Sequence, residues 1–125
     1  MKKELAAAAL LLLLAAAAIW NVHYLAARCD SIDSAVAHAQ SQYLSGDGSA
    51  AAQALTDARS DWDSMDRYAH IMLPHSAVES VTETFDAAKA ALSAGDPAAE
   101  AQLLLLRTRI ANLGESERAA LGNVF

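Results

Sequence analysis

Two histidines and two carboxylates surround Pro74 near the middle of the chain. His70 and His75 flank this proline, Asp66 precedes His70 by four residues, and Glu79 follows His75 by four. Imidazole and carboxylate groups bind divalent metals, so a helical hairpin turning here would bring a two-His, two-carboxylate set together. The spacing matches no established zinc motif, and surface carboxylates are common on helices. We therefore predict no metal site, with Asp66, His70, His75 and Glu79 as the candidate ligands to examine.

No other residues with catalytic potential form a recognised arrangement. Asp61 and Asp63 are two positions apart, which puts them on different faces of a helix and excludes an acid–base pair on one surface. There is no nucleophile elbow and no glycine-rich phosphate loop. Cys29 is the only cysteine, so we expect a buried, inert thiol or a bridge to a second copy. We predict that the protein is not an enzyme and binds no cofactor.

The N-terminal segment determines where the other elements lie. After two lysines and one glutamate, residues 5–27 contain no Asp, Glu, Lys or Arg. As a helix, these 23 residues would extend about 34 Å, enough to cross a hydrocarbon core of about 30 Å. The lysines favour a cytoplasmic N-terminus, and Trp20 and Tyr24 suit the opposite interface. We predict a single-pass anchor within residues 1–27, with the rest of the chain outside the cytoplasm.

A cleaved secretory signal peptide is the alternative for this segment. Ala16, Ala17 and Ala18 satisfy the small-residue requirement of a cleavage site. No helix breaker separates them from the apolar run, which favours a retained anchor. Arg28 precedes Cys29, where a lipoprotein requires a small residue. Both remaining interpretations export residues 28–125.

The exported part is acidic and has the size of one small domain. The chain has nine Lys and Arg and 15 Asp and Glu. Because two lysines and one glutamate precede the apolar run, seven basic and 14 acidic residues remain, a net charge of −7. This balance disfavours nucleic acid and anionic lipid headgroups, which both require Lys and Arg. A solvated acidic surface explains the charge equally well.

Apolar residues recur at alternating steps of three and four in four segments of the exported part. This spacing places them on one face of a helix, as in left-handed helical bundles. The segments start near Leu25, Leu55, Val78 and Ala99. The predicted fold is therefore all-α, with the transmembrane helix continuing into an antiparallel four-helix bundle of two helical hairpins over residues 28–113. The predicted core anchors are Trp62, Phe85, Leu103, Leu106 and Ile110.

Glycine, proline and capping residues divide the four segments. Asp47 and Asp96, each after a glycine, are predicted N-caps. Ser76 and Glu79 form a predicted capping box after Pro74. Gly114 is predicted to end the fourth helix, leaving residues 114–125 as a short tail packed on the bundle.

Two features of the helices bear on function. No glycine or proline lies between Leu5 and Ser45, so we expect the anchor to continue as one helix into the bundle. Leu104 and Leu105 exceed what a one-sided apolar stripe requires, so either the fourth helix is buried broadly or a partner covers it. We predict that Leu104 and Leu105 form an interaction surface.

The plan of the whole chain resembles a bacterial family of small single-anchor proteins described as domain of unknown function 4363. The shared motifs are the short basic start, Trp20–Leu25 closing the anchor, Trp62, His75 followed by Val78 and Val81, and the ending Glu117–Phe125. This chain departs from the family pattern by carrying Ala77 where an acidic residue is common. The resemblance implies a bacterial envelope protein and supplies no catalytic residues.

These observations lead to two functional hypotheses. The first is a protein-interaction or accessory subunit in the bacterial cytoplasmic membrane, with a protein partner in or near the membrane; a homo-oligomer is also compatible with the sequence. The second is a small-ligand or metal-sensing bundle coupled to the membrane helix. Against it, only Met1–Glu4 remain on the cytoplasmic side as an output segment.

Overall fold

The computed structural model describes the backbone of residues 1–124 and the side chains of residues 1–65, 71 and 73–115. Each helix packs against the next one in the chain, and the last also packs against the first. The described part contains no strand, so the predicted all-α fold of two hairpins is confirmed. The helices are α1 (Lys2–Leu44), α2 (Gly48–Met72), α3 (His75–Ala94) and α4 (Ala99–Val124).

Helix α1 runs without a break for 43 residues, as predicted. It is long and apolar enough to cross a membrane, by length and composition. Its first half projects from the bundle, since every residue from Leu5 to Trp20 except Ala15 is exposed. Burial in the bundle core begins at Val22. The last part of the apolar run therefore packs on neighbouring helices.

The core consists of the four predicted stripes. Trp62 and Phe85 are the two largest fully buried side chains. Smaller residues from all four helices fill the space around them and form one cluster. The buried aliphatic members include Leu25, Ile32, Val36, Leu55, Val78, Val81, Leu103, Leu106 and Ile110.

Two of the three connections use the predicted aspartate caps. Asp47 Oδ1 accepts a hydrogen bond from the backbone N of Ala50 at 3.0 Å. Asp96 Oδ1 accepts one from the backbone N of Ala98 at 2.9 Å. Gly95 adopts the left-handed conformation, with φ of 66°, which a residue without a Cβ reaches at little cost. These two connections lie at the end of the bundle far from the N-terminus of α1.

The predicted capping box at the start of α3 does not form. The helix begins at His75 with Pro74 as its N-cap, and no side chain caps it by a hydrogen bond. Glu79 instead contacts His75, its neighbour one turn earlier. Because Ser76 already lies inside the helix, its hydroxyl is not placed at the cap position.

Gly114 does not end α4, which continues to Val124. A Cβ added to Gly114 would lie 3.5 Å from the Cβ of Cys29, so this glycine marks a close approach of α4 to α1. The predicted tail is thus mostly helical backbone. Its packing, including that of Val124 and Phe125, lies outside the described side chains.

Candidate functional site

The structure describes half of the metal-ligand set predicted around Pro74. His75 Nε2 lies 2.7 Å from Glu79 Oε1, and both side chains are largely exposed. The side chains of Asp66 and His70 are outside the described residues. Within the described side chains, no three His, Cys, Asp or Glu residues are grouped so that they could hold a metal ion. The described pair has the geometry of a surface contact between residues one helical turn apart.

Trp62 lies in the core and makes one polar contact there. Its Nε1 donates a hydrogen bond to Thr82 Oγ1 at 2.9 Å, and that hydroxyl donates to the carbonyl of Val78 at 3.1 Å. The indole ring centroid is 6.3 Å from that of Phe85. Burying an indole requires an acceptor for its N–H, and Thr82 supplies it from α3.

The outer face of α4 carries the two leucines predicted as an interaction surface. Leu104 is 56% exposed and Leu105 is 38% exposed, while Leu103 and Leu106 are fully buried. The wide apolar run of α4 is therefore not all used for the core. Leu104 is the more exposed of the two, so a partner would gain more from covering it.

Arg107 joins α4 to α1 beside this surface. Its Nε lies 3.1 Å from Asp33 Oδ1, and its Nη1 donates to Gln40 Oε1 at 3.1 Å. The remaining guanidinium nitrogen, Nη2, donates to Asp33 Oδ2 at 3.5 Å, so Asp33 is contacted through both of its carboxylate oxygens. A two-pronged contact of this kind fixes the rotation of one helix relative to the other.

A groove of about 320 Å³ lies between the first half of α3 and the middle of α4. This volume is at the lower end of the range of small-molecule sites. The lining is mostly apolar, with a guanidinium, an amide and a hydroxyl among the polar groups. The lining residues are Pro74, Ala77, Ser80, Val81, Arg109, Asn112 and Leu113.

Among the described side chains that line the groove, Arg109 is the only charged one. Its Nη1 donates to the carbonyl of Ser80 at 3.3 Å and to the hydroxyl of Thr84. Arg59 and Arg107 both lie within 4 Å of carboxylates. No ion pair to a carboxylate is formed by Arg109 in the described part of the chain. Among the described side chains, no carboxylate competes with an anion in the groove for the guanidinium of Arg109.

Sequence reasoning did not identify the groove or the roles of Arg107 and Arg109. A signal was present, because both arginines follow the leucine run of α4 and flank its stripe. The stripe itself does not reveal which arginine meets a carboxylate, because that depends on which helix lies opposite. The groove could not be predicted either, because it depends on how α3 packs against α4.

The chain matches one protein family over most of its length. The family model described as Domain of unknown function (DUF4363) matches residues 19–124. No curated protein and no solved structure matches the chain. The matched segment starts just before Val22, where the bundle core begins. The resemblance seen in the sequence is therefore confirmed, and the chain belongs to the DUF4363 family.

Proposed function

We propose that the protein is an anchored accessory subunit of the bacterial cytoplasmic membrane. In this proposal the apolar half of α1 spans the membrane with its lysines inside, and the bundle binds a neighbouring protein outside the cytoplasm without catalysing a reaction. The observation that carries the proposal is the exposure of Leu104 and Leu105 on a helix whose other two consecutive leucines, Leu103 and Leu106, are buried. The continuous α1 supports it, because a rigid connection holds the bundle close to other membrane proteins.

The anchor is tested by washing membranes with alkaline carbonate and measuring the intact mass of the chain. We expect the full chain to remain with the lipid, because residues 5–20 are apolar and, except for Ala15, exposed. A soluble chain that begins near Ile19 would show cleavage and refute the anchor.

The partner surface is tested by photo-crosslinking in native membranes. With a photo-crosslinking residue at Leu105, we expect a crosslink to one membrane protein, and Leu104→Glu should abolish it while leaving the melting temperature almost unchanged. Leu104 already faces solvent, so a carboxylate there costs little stability and disfavours only an apolar contact. Ala90→Glu, on the exposed face of α3, is the matched control and should leave the crosslink intact. A crosslink that survives Leu104→Glu would contradict the proposal.

The groove at Arg109 favours a second candidate function, the binding of a small organic anion. An apolar wall beside a guanidinium suits a carboxylate that carries a short apolar tail. We expect butyrate to shift the Nε–H resonance of Arg109 in the full chain reconstituted in nanodiscs. Butanol, which lacks the carboxylate, should shift it much less.

The matched variants for this titration are Arg109→Gln and Arg59→Gln. Charged hydrogen bonds contribute about 1.5–3 kcal/mol, so Arg109→Gln should weaken butyrate binding by about tenfold or more. Arg59 is paired with Asp63 and lies outside the groove lining, so its replacement should have no effect on affinity. Equal losses in both variants would indicate nonspecific attraction to positive charge.

A further inference from the structure

The exposed apolar part of α1 is short for a membrane span. Leu5–Trp20 comprises 16 residues, or about 24 Å of helix, against a hydrocarbon core of about 30 Å. The next residues are not freely available to lipid, because Val22 and Leu25 are buried in the bundle. Tilting α1 would shorten its projection on the membrane normal and increase the shortfall.

The end of the bundle lies beside the residues that would complete the span. Gly114 is in contact range of Cys29, and α4 runs antiparallel to α1 for ten more residues, to Val124. These add about 15 Å, which brings the end of α4 level with Ile19. The α2–α3 turn lies at this same end, since α2 runs antiparallel to α1 and is hydrogen-bonded to Arg28 at Asp61.

Because the shortfall of about 6 Å is measured against the hydrocarbon core alone, the end of the bundle cannot stay outside the adjacent headgroup layer. A bilayer of about 40–45 Å with a core of about 30 Å leaves about 5–8 Å on each side. If the end of the bundle enters this layer, the apolar segment of α1 can span the core while the polar residues on either side of it reach the two interfaces. Local thinning of the bilayer is the competing response, and it costs energy for each ångström of mismatch.

The α2–α3 turn has the residue types that suit this layer. Ile71 is 76% exposed on the last turn of α2, and Pro74, which follows the buried Leu73, is exposed and carries no charge. On α1, the rings of Trp20 and Tyr24 stack with centroids 5.4 Å apart. Trp and Tyr side chains at this level are typical of the membrane interface.

We propose that the α2–α3 turn docks into the headgroup layer of the membrane that α1 spans, with Ile71 inserted toward the acyl chains. The proposal rests on the proposed anchor and adds a second, noncovalent contact with the same lipid. The occupant is the zwitterionic interface, because the acidic domain disfavours anionic headgroups. Docking at a second point restricts tilting of the bundle about α1 and holds its outer surfaces at a constant height.

Site-directed spin labelling of the full chain in phosphatidylcholine vesicles tests the docking. In a Cys29→Ala background, Ile71→Cys carries the label, and collisions with oxygen are compared with collisions with a water-soluble nickel chelate. We expect a label at Ile71 to collide mainly with oxygen, because oxygen concentrates in lipid and the chelate stays in water. Leu44→Cys, equally apolar and exposed at the far end of α1, is the matched control and should collide mainly with nickel.

A third label separates failure of the docking from failure of the anchor. Leu12→Cys lies in the middle of the exposed apolar segment and should be inaccessible to nickel. If Leu12 is in lipid while Ile71 is as accessible to nickel as Leu44, the anchor stands and the docking is refuted. If Leu12 is also accessible, the anchor itself is refuted, and the docking with it.

Lengthening the anchor gives an independent test. Inserting one turn of leucine, about four residues, after Leu14 adds about 6 Å and restores nearly the same helix face. We expect the label at Ile71 to move from lipid into water, because the span no longer needs the headgroup layer. A label that stays in lipid after the insertion would show that span length does not draw the turn into the membrane, and would overturn the proposal.

Discussion

Replacing Trp62 by alanine is expected to lower the free energy of unfolding by about 3–5 kcal/mol. The side chain is fully buried, and its loss leaves a cavity between α2 and α3 beside Phe85. The substitution also removes the indole N–H that donates a hydrogen bond to Thr82 Oγ1. A domain of this size has only about 5–15 kcal/mol of total stability, so the variant should approach unfolding. Urea denaturation of the full chain in detergent, followed by circular dichroism, measures the change.

Two matched variants separate the packing of Trp62 from its hydrogen bond. Thr82→Val keeps the shape of the site but leaves the buried indole N–H without its acceptor, at a cost of about 1–3 kcal/mol. Leu44→Ala removes a similar apolar group from an exposed position and should change stability by no more than about 0.5 kcal/mol. If Trp62→Ala costs less than about 1 kcal/mol and abolishes binding of a ligand, Trp62 belongs to a binding site and not to the core.

Substitutions at Gly114 should change the free energy of unfolding in opposite directions, according to the size of the new side chain. Gly114→Ala is expected to raise the free energy of unfolding by about 1 kcal/mol, because alanine favours the helix and its Cβ would lie 3.5 Å from that of Cys29, an ordinary contact. Gly114→Leu should lower it by about 1–3 kcal/mol, because larger side chains would separate α4 from α1. The same denaturation experiment measures both variants.

The control for Gly114 is a leucine on the exposed face of the same helix. Ala111 is exposed, so Ala111→Leu should change stability by less than about 0.5 kcal/mol. Adding Cys29→Ala to Gly114→Leu should restore part of the lost stability, since it makes room at the contact. If Gly114→Leu is as stable as Gly114→Ala, α4 does not approach α1 closely there, and the glycine has no packing role.

Helix spacing in the sequence was enough to predict the buried faces. The described members of the four stripes are buried or half-buried, from Leu25 in α1 to Leu113 in α4. Stripes are reliable because a helix repeats every 3.6 residues wherever it lies, so its apolar face is a local property. The same holds for the aspartate caps, whose side chains bond to backbone groups only two or three residues away.

Two predictions differ from the structure at positions whose role depends on another helix, and a third differs because α3 starts earlier than expected. Gly114 looks like a helix end in sequence, but α4 continues past it and places it beside Cys29 of α1. Val22 looks like part of the apolar span in sequence, and only the structure shows that it is buried in the bundle. Glu79 looks like half of a capping box, but it faces His75 once the helix starts at that residue.

The features of the candidate sites also fall into those that local sequence determines and those that depend on helix packing. The sequence by itself determined that the chain has one apolar segment long enough for a membrane, four amphipathic helices and surplus leucines on α4, since each follows from local composition and period. Only the tertiary structure decided that Arg107 meets Asp33, that Arg109 lines a groove between α3 and α4, and that the α2–α3 turn lies at the end of the bundle from which the N-terminal half of α1 projects. Those contacts join residues distant in the chain, and their geometry is set by how the helices pack and not by the spacing within any one of them.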